Sequence, residues 1–218
     1  HHGYVARLKA GAHALGYGKE SVSDIVVQLV RLFEKGKEVR MSKRTGIYVT
    51  IDELIDEVGL DVARFFFLTR GYNTHFNFDL DLAKEKSNKN PVFKVQYAYA
   101  RICSIVKKSK RILQGAGNKS LKSKINYELL NKTSELNLMK QFEVFSEMIE
   151  DTAKDYQVQR IPQYAIELAD AFHSFYENCQ VITKDKKLSQ ARLALVLATK
   201  IVLKNTLNLM GISAPEKM

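Results

Sequence analysis

The sequence predicts an α-rich chain, an α/β remnant followed by an all-α part. Three observations carry this. From about residue 90 onward, apolar residues recur three and four apart and no strand pattern appears. Before residue 84, strand-like and helix-like runs alternate. Between them lies a polar stretch, residues 84–90, rich in Lys and Asn. The expected division is therefore a mixed unit over residues 1–83 and a helical unit over residues 84–218.

Residues 4–15 read as a helix stopped near Gly16 and Gly18. Residues 26–33, rich in Val and Leu, suit a buried strand. Lys35-Gly36-Lys37 is a hairpin turn signal, with residues 38–41 as the returning strand. Thr50 and Glu53 have the spacing of a capping box, opening a helix that Gly59 ends. Asp61 is read as the cap of a second helix over residues 62–68, with Phe65, Phe66 and Phe67 as core. Pro91 opens a long helical pattern running to Leu113, which the Gly115-Ala116-Gly117-Asn118 segment breaks. Three further helices follow: one over residues 129–156, one opened by Pro162, and one over residues 186–209 ended by Gly211 and Pro215. Four long amphipathic helices without strands imply a helical bundle.

With 218 residues and 45% apolar content, the chain is large enough to bury a core. No apolar run is long enough to span a membrane, and residues 1–9 lack the apolar stretch of a signal peptide. Cys103 and Cys179 both fall in apolar helical patterns, as reduced core residues of a cytoplasmic protein would. No Cys/His spacing suggests a metal site. The net charge of +10 is unevenly placed. Residues 84–124 hold 12 Lys and Arg against the single acid Glu85, a local net of +11, so the remainder sums to about −1. A block of this kind concentrates potential on one surface, and nucleic acid is its commonest partner. A solvated helix face and a membrane-surface helix are the alternatives. Phe93, Tyr97 and Tyr99 interleave with the cations, which favours RNA bases that can stack.

The most specific segment is Arg40-Met41-Ser42-Lys43-Arg44-Thr45-Gly46. Cations and a small hydroxyl residue on a short loop suit a triphosphate, because they neutralise its charge and fix its position. A solvated basic hairpin end is the generic alternative. The order of residues resembles the Lys-Met-Ser-Lys-Ser loop of class I aminoacyl-tRNA synthetases, with Arg40 in the first Lys position and Arg44 in the last Ser position.

Within that class, the order of motifs resembles the arginyl-tRNA synthetases over essentially the whole chain. His1-His2-Gly3-Tyr4-Val5-Ala6-Arg7-Leu8 is similar to the segment opening the second half of their nucleotide-binding fold, which makes the two histidines native sequence rather than a tag. Asp61-Val62-Ala63-Arg64 is similar to the Asp-Ala-Leu-Arg motif that names their anticodon-binding domain, with two middle residues changed. Phe78-Asp79-Leu80-Asp81, Asn90-Pro91-Val92, Gln96-Tyr97-Ala98-Tyr99-Ala100-Arg101 and Leu168-Ala169-Asp170-Ala171-Phe172-His173 follow in the family's order. The resemblance implies the C-terminal part of a Rossmann-like class I catalytic domain, then a helical-bundle anticodon-binding domain. The His-x-Gly-His motif that class I enzymes need is absent. The chain is thus expected to be a C-terminal portion, unable to activate arginine alone.

The resemblance also assigns roles. Lys43 is the candidate catalytic cation on the pyrophosphate, and Arg40, Met41, Ser42 and Arg44 complete the ATP-contacting loop. ATP, with Mg2+, and arginine are implied for the whole enzyme. His1 and His2 lie near the adenosine side or form a structural helix start. For tRNA, Tyr97 and Arg101 stand one turn apart on one helix face, where they can stack on and hydrogen-bond splayed bases. Tyr176 matches a position that packs on the anticodon loop, or extends an apolar stripe into the core. Met218 matches a terminal Met near a base, or is a frayed end. Lys107, Lys108, Lys110 and Arg111 are expected on phosphates, without reading sequence. Asp170, His173 and Ser174 share one helix with no strained elbow, which favours a satisfied helix histidine over a nucleophilic triad. The implied enzyme is a monomer, while a half nucleotide fold exposes an edge strand and an apolar face through which the chain could self-associate. The alternatives are a stand-alone tRNA-binding module of the same fold, or the cysteine or methionine enzyme of the class. The latter usually carry Cys clusters that are absent here.

Overall fold

The computed structural model describes residues 2–39, 50–114 and 125–218. The first part begins with helix α1 (His2–Ala14), which buries no residue. Gly16, at φ 92°, ends the turn beyond it. Strands β1 (Val30–Glu34), β2 (Lys37–Glu38) and β3 (Phe76–Asp79) form a small sheet in the order β2-β1-β3. β1 runs antiparallel to β2, with Glu34 opposite Lys37, and parallel to β3, with Val30 opposite Phe76. Lys35 and Gly36 have φ of 50° and 71°, the left-handed pair that a two-residue hairpin needs to match strand twist. The expected strand over residues 26–33 is thus displaced toward the turn. Ladder pairing needs a partner, and β3 reaches back only to Val30. Upstream, Gln28 N–H donates to the Tyr72 carbonyl at 2.8 Å, while Ile25, Val27 and Leu29 are exposed.

Helices α2 (Ile51–Val58), α3 (Leu60–Leu68) and α4 (Leu80–Lys84) pack beside this sheet. The capping box is present: Glu53 N–H donates to Thr50 Oγ1 at 3.1 Å, and Thr50 N–H to Glu53 Oε2 at 2.7 Å. The reading of Asp61 as a cap is corrected. α3 starts two residues earlier behind Gly59, at φ 86°, and has no side-chain cap. The Asp61 carboxylate instead accepts from Gln96 and Ser213. β3 and α4 were not expected as elements. Yet Phe76 and Phe78 alternate with exposed Asn77 and Asp79, and Asp79 caps α4 by accepting from Leu82 N–H at 2.9 Å.

The helical part comprises α5 (Pro91–Gln114), α6 (Thr133–Asp155), α7 (Arg160–Asn178) and α8 (Lys186–Leu209). The stretch before α5 is tied by buried Asn90. Its side-chain amide donates to the Ala83 and Glu85 carbonyls, each at 3.0 Å, and its Oδ1 accepts from Val92 N–H at 3.0 Å. α7 packs against α5, α6 and α8. Ala165, Leu168, Ala169, Phe172 and Phe175 form its buried stripe, at the spacing one helix face requires. α5 buries Val92, Val95, Tyr99, Ile102 and Val106 in the same way, so Tyr99 is core. One cluster of buried side chains runs from Leu32 to Ile212. Cys103 and Cys179 are buried in it as free thiols. Among the described residues no helix is long and apolar enough to cross a membrane, and no group of His, Cys, Asp and Glu is arranged to hold a metal ion.

α8 ends in a Schellman motif. Gly211 takes φ 65°, its N–H donates to the Asn208 carbonyl, and Ile212 N–H donates to the Leu207 carbonyl, both at 3.0 Å. Ile212 and Leu207 are both buried, the apolar contact that accompanies this motif. The chain then leaves as an irregular ribbon over residues 212–218.

Candidate nucleic-acid interface

Opposite its core stripe, α5 carries a second stripe at the same helical spacing: Phe93, Tyr97, Arg101, Ser104 and Lys108. Four of these line a cavity of about 480 Å3, together with Ala100, Ile105, Tyr176 of α7, and Lys217 and Met218 of the ribbon. Of the residues expected to meet tRNA, Tyr97, Arg101, Lys108, Tyr176 and Met218 are thus brought together. Lys107 lies one wall away, in an adjoining cleft of about 730 Å3 with Lys108, Lys200 and Lys217. A third depression, about 390 Å3, continues past Lys108 and Tyr176 toward Gln180 and Ile182.

The Arg101 guanidinium lies over two rings, 5.0 Å from the Tyr97 centroid and 4.8 Å from that of Tyr176. It also donates to the Tyr97 hydroxyl. Cation–π contact at such distances contributes on the order of 0.5–2 kcal/mol, more as water is excluded. The arrangement therefore holds a long, flexible cation in one place with donors left over. Tyr97 stacks on Phe93 at 6.1 Å and on His173 at 6.2 Å, and Tyr176 on Phe172 at 6.2 Å. Tyr176 is 38% exposed, so its ring is cavity wall rather than core. Met218 is 56% exposed but lines the same cavity. His173 is half-buried beside the cations, and burial, aided by Arg101, pushes its pKa down. Opposing this are Asp170, which pairs with Lys94 at 2.5 Å, and Glu177.

Chemically, the cavity offers aromatic faces, a fixed guanidinium and flanking ammonium groups. Those are the groups that take an unstacked base and its phosphates. The sequence reading took His173 as a satisfied helix histidine and passed over Lys200 and Lys217. His173 was recoverable as the residue three before Tyr176 on one helix, whereas Lys200 joins only through the packing of α8 on α5. Residues 40–44, and with them Lys43, Ser42, Met41, Arg40 and Arg44, lie outside the described residues, as do His1 and the side chains of Lys110 and Arg111. His2 stands exposed at the start of α1.

A helical bundle with a basic, aromatic-lined groove carries the groups that RNA-binding modules use. Residues 95–218 match the family model of the DALR anticodon binding domain, and the chain belongs to that family. Over its whole length it is 48% identical to the arginine–tRNA ligases of Carboxydothermus hydrogenoformans and Symbiobacterium thermophilum. It spans 39% and 38% of their lengths. Among solved structures, a candidate arginyl-tRNA synthetase from Campylobacter jejuni superposes over the whole chain and 46% of its own, with a TM-score of 0.79 at 28% identity. The Thermus thermophilus arginyl-tRNA synthetase matches over 81% of this chain and 29% of its own, with a TM-score of 0.60 at 25% identity.

Proposed function

We propose that this chain is the tRNA-reading portion of an arginine–tRNA ligase that acts in the cytoplasm. The observation that carries this is the convergence of Tyr97, Arg101, Lys108, Tyr176 and Met218 on one cavity, with a guanidinium held between two rings. The similarity to arginine–tRNA ligases along all 218 residues supports it. In this reading the cavity takes an anticodon base, Arg101 and the tyrosines hold it, and Lys107 and Lys108 neutralise flanking phosphates. The unit over residues 84–218 does the reading, and the unit over residues 1–83 belongs to the catalytic half. On the sequence of residues 40–44 alone, Lys43 is the pyrophosphate-contacting cation, with Arg40, Met41, Ser42 and Arg44 around it. ATP with Mg2+ supplies the activating phosphoryl chemistry in the whole enzyme, which works as a monomer on arginine and its tRNA. The chain by itself does not activate arginine, because the His-x-Gly-His motif is missing.

Binding of this chain to arginine tRNA transcripts tests the reading, with and without a changed central anticodon base, at two salt concentrations. The base change is expected to weaken binding about tenfold, which is about 1.4 kcal/mol. Arg101→Ala should abolish that difference while leaving salt-sensitive attraction. Binding that responds to salt but ignores the base would reduce the groove to a phosphate platform and overturn base reading.

A further inference from the structure

We propose that Asp61 and Arg64 of α3 are positioning residues for RNA recognition, because they set the ribbon that carries Lys217 and Met218 into the cavity wall. The inference rests on the reading of that cavity as a site for an RNA base. Asp61 Oδ1 accepts from Ser213 N–H at 3.1 Å, and Oδ2 accepts from the Ser213 hydroxyl. Gln96 of α5 closes the group, donating to Asp61 Oδ2 at 2.9 Å and to the Ser213 carbonyl at 3.0 Å. Arg64 Nη1 donates to the Gly211 carbonyl at 2.5 Å. A Cβ at Gly211 would sit 2.5 Å from Arg64 Nη1, so a side chain there would push the guanidinium from its present place. The Gly211 φ of 65° independently favours glycine.

This clasp stands where the ribbon needs direction. Residues 212–218 are neither helix nor strand, so no ladder fixes them. Buried Ile212 anchors the near end. At the far end Glu216 meets Lys200 at 3.3 Å, a pair whose carboxylate is 72% exposed and therefore holds weakly. Charge-assisted bonds from a carboxylate and a guanidinium are the stronger restraint. They act on Gly211 and Ser213, four to seven residues before the two that line the cavity. Asp61 and Arg64 touch none of the cavity themselves; they act through the ribbon.

The test compares the whole chain with Asp61→Asn, Ser213→Ala, deletion of residues 216–218, and that deletion combined with Asp61→Asn. Two quantities are read: amide hydrogen exchange of residues 211–218, and binding of the arginine tRNA transcript with its native or changed central base. Asp61→Asn should speed ribbon exchange about tenfold and weaken native tRNA binding by a similar factor, with α5 to α8 protected as before. In the deletion background it should add nothing, since residues acting through one element are non-additive. Unchanged ribbon exchange overturns the proposal, as does a binding loss that persists after the deletion. If Asp61→Asn disturbs the bundle, Ser213→Ala, which removes one hydroxyl donor, carries the same expectation with a smaller loss, about threefold. If the unaltered chain ignores the base change, the cavity reading fails, and the exchange arm separately decides whether the clasp holds the ribbon.

Discussion

His173 is pressed between Tyr97 and Phe172 rings, with centroids 6.2 and 5.9 Å away. Burial and the Arg101 and Lys94 cations lower its pKa, against the opposing Asp170 and Glu177. In the unfolded chain the imidazole titrates near its ordinary 6.5. Between the lowered folded value and 6.5 the unfolded chain binds more protons, so stability rises with pH across that window. The contribution is intact above 6.5 and lost as pH falls through the window. Thermal unfolding followed from about pH 7.5 to about pH 5.5 should show a falling midpoint, and His173→Gln should flatten the part of that fall due to this residue. An identical slope in the variant would remove His173 from the account. The same crowding that shifts the imidazole fixes Tyr97, so this residue links core packing to the cavity wall.

Between elements, the feature with most at stake is the buried pair of Glu135 on α6 and Arg192 on α8. Arg192 Nε donates to Glu135 Oε1 at 2.7 Å and its Nη1 to the Gln180 carbonyl at 2.8 Å. Glu135 Oε2 also accepts from Lys132 N–H at 2.9 Å, capping α6. Both side chains are almost wholly removed from water, at 6% and 0% exposure. Removing one partner strands a buried charge, so Arg192→Met should cost about 3–5 kcal/mol in urea unfolding. Adding Glu135→Gln neutralises that charge while keeping an acceptor for Lys132 N–H, and should recover most of the loss. No recovery would mean that Arg192 acts through packing. Elsewhere α7 is bound to α6 by the Tyr164 hydroxyl, which donates to the Gln141 carbonyl at 2.8 Å, and burial raises the Tyr164 pKa.

At the scale of the molecule, the two ends of the chain differ. Residues 2–29 leave Tyr4, Leu8, Leu15, Tyr17, Val27 and Leu29 in solvent, whereas the helical part buries its apolar faces around α7. An exposed apolar face of this extent invites association. The proposed division of labour makes this half dependent on groups the chain does not carry. Pyrophosphate exchange with arginine, ATP and arginine tRNA, using this chain alone, should give no turnover above background. Turnover within about a hundredfold of a typical enzyme's ten per second would overturn the dependence on a His-x-Gly-His motif.

The sequence by itself determined the helical bundle, the hairpin turn at Lys35-Gly36, the Thr50 capping box and the stop at Gly211, because each depends on neighbours within about five residues. It also placed Tyr97 and Arg101 on one face, since helical spacing alone decides that. Tertiary structure decided what periodicity cannot see. Whether Tyr176 was core or surface depended on which face α7 offers to α5. The role of Asp61 depended on Ser213, 152 residues away, whose approach outweighed the local preference for a cap. β1 was shortened because strand length is set by its partner, and β3 ends its pairing at Val30. Glu135 and Arg192, 57 residues apart, are paired and buried only because α6 and α8 close over them. Local chemistry fixes which elements form, and packing then selects which of their polar groups are paired, buried or left to meet a ligand.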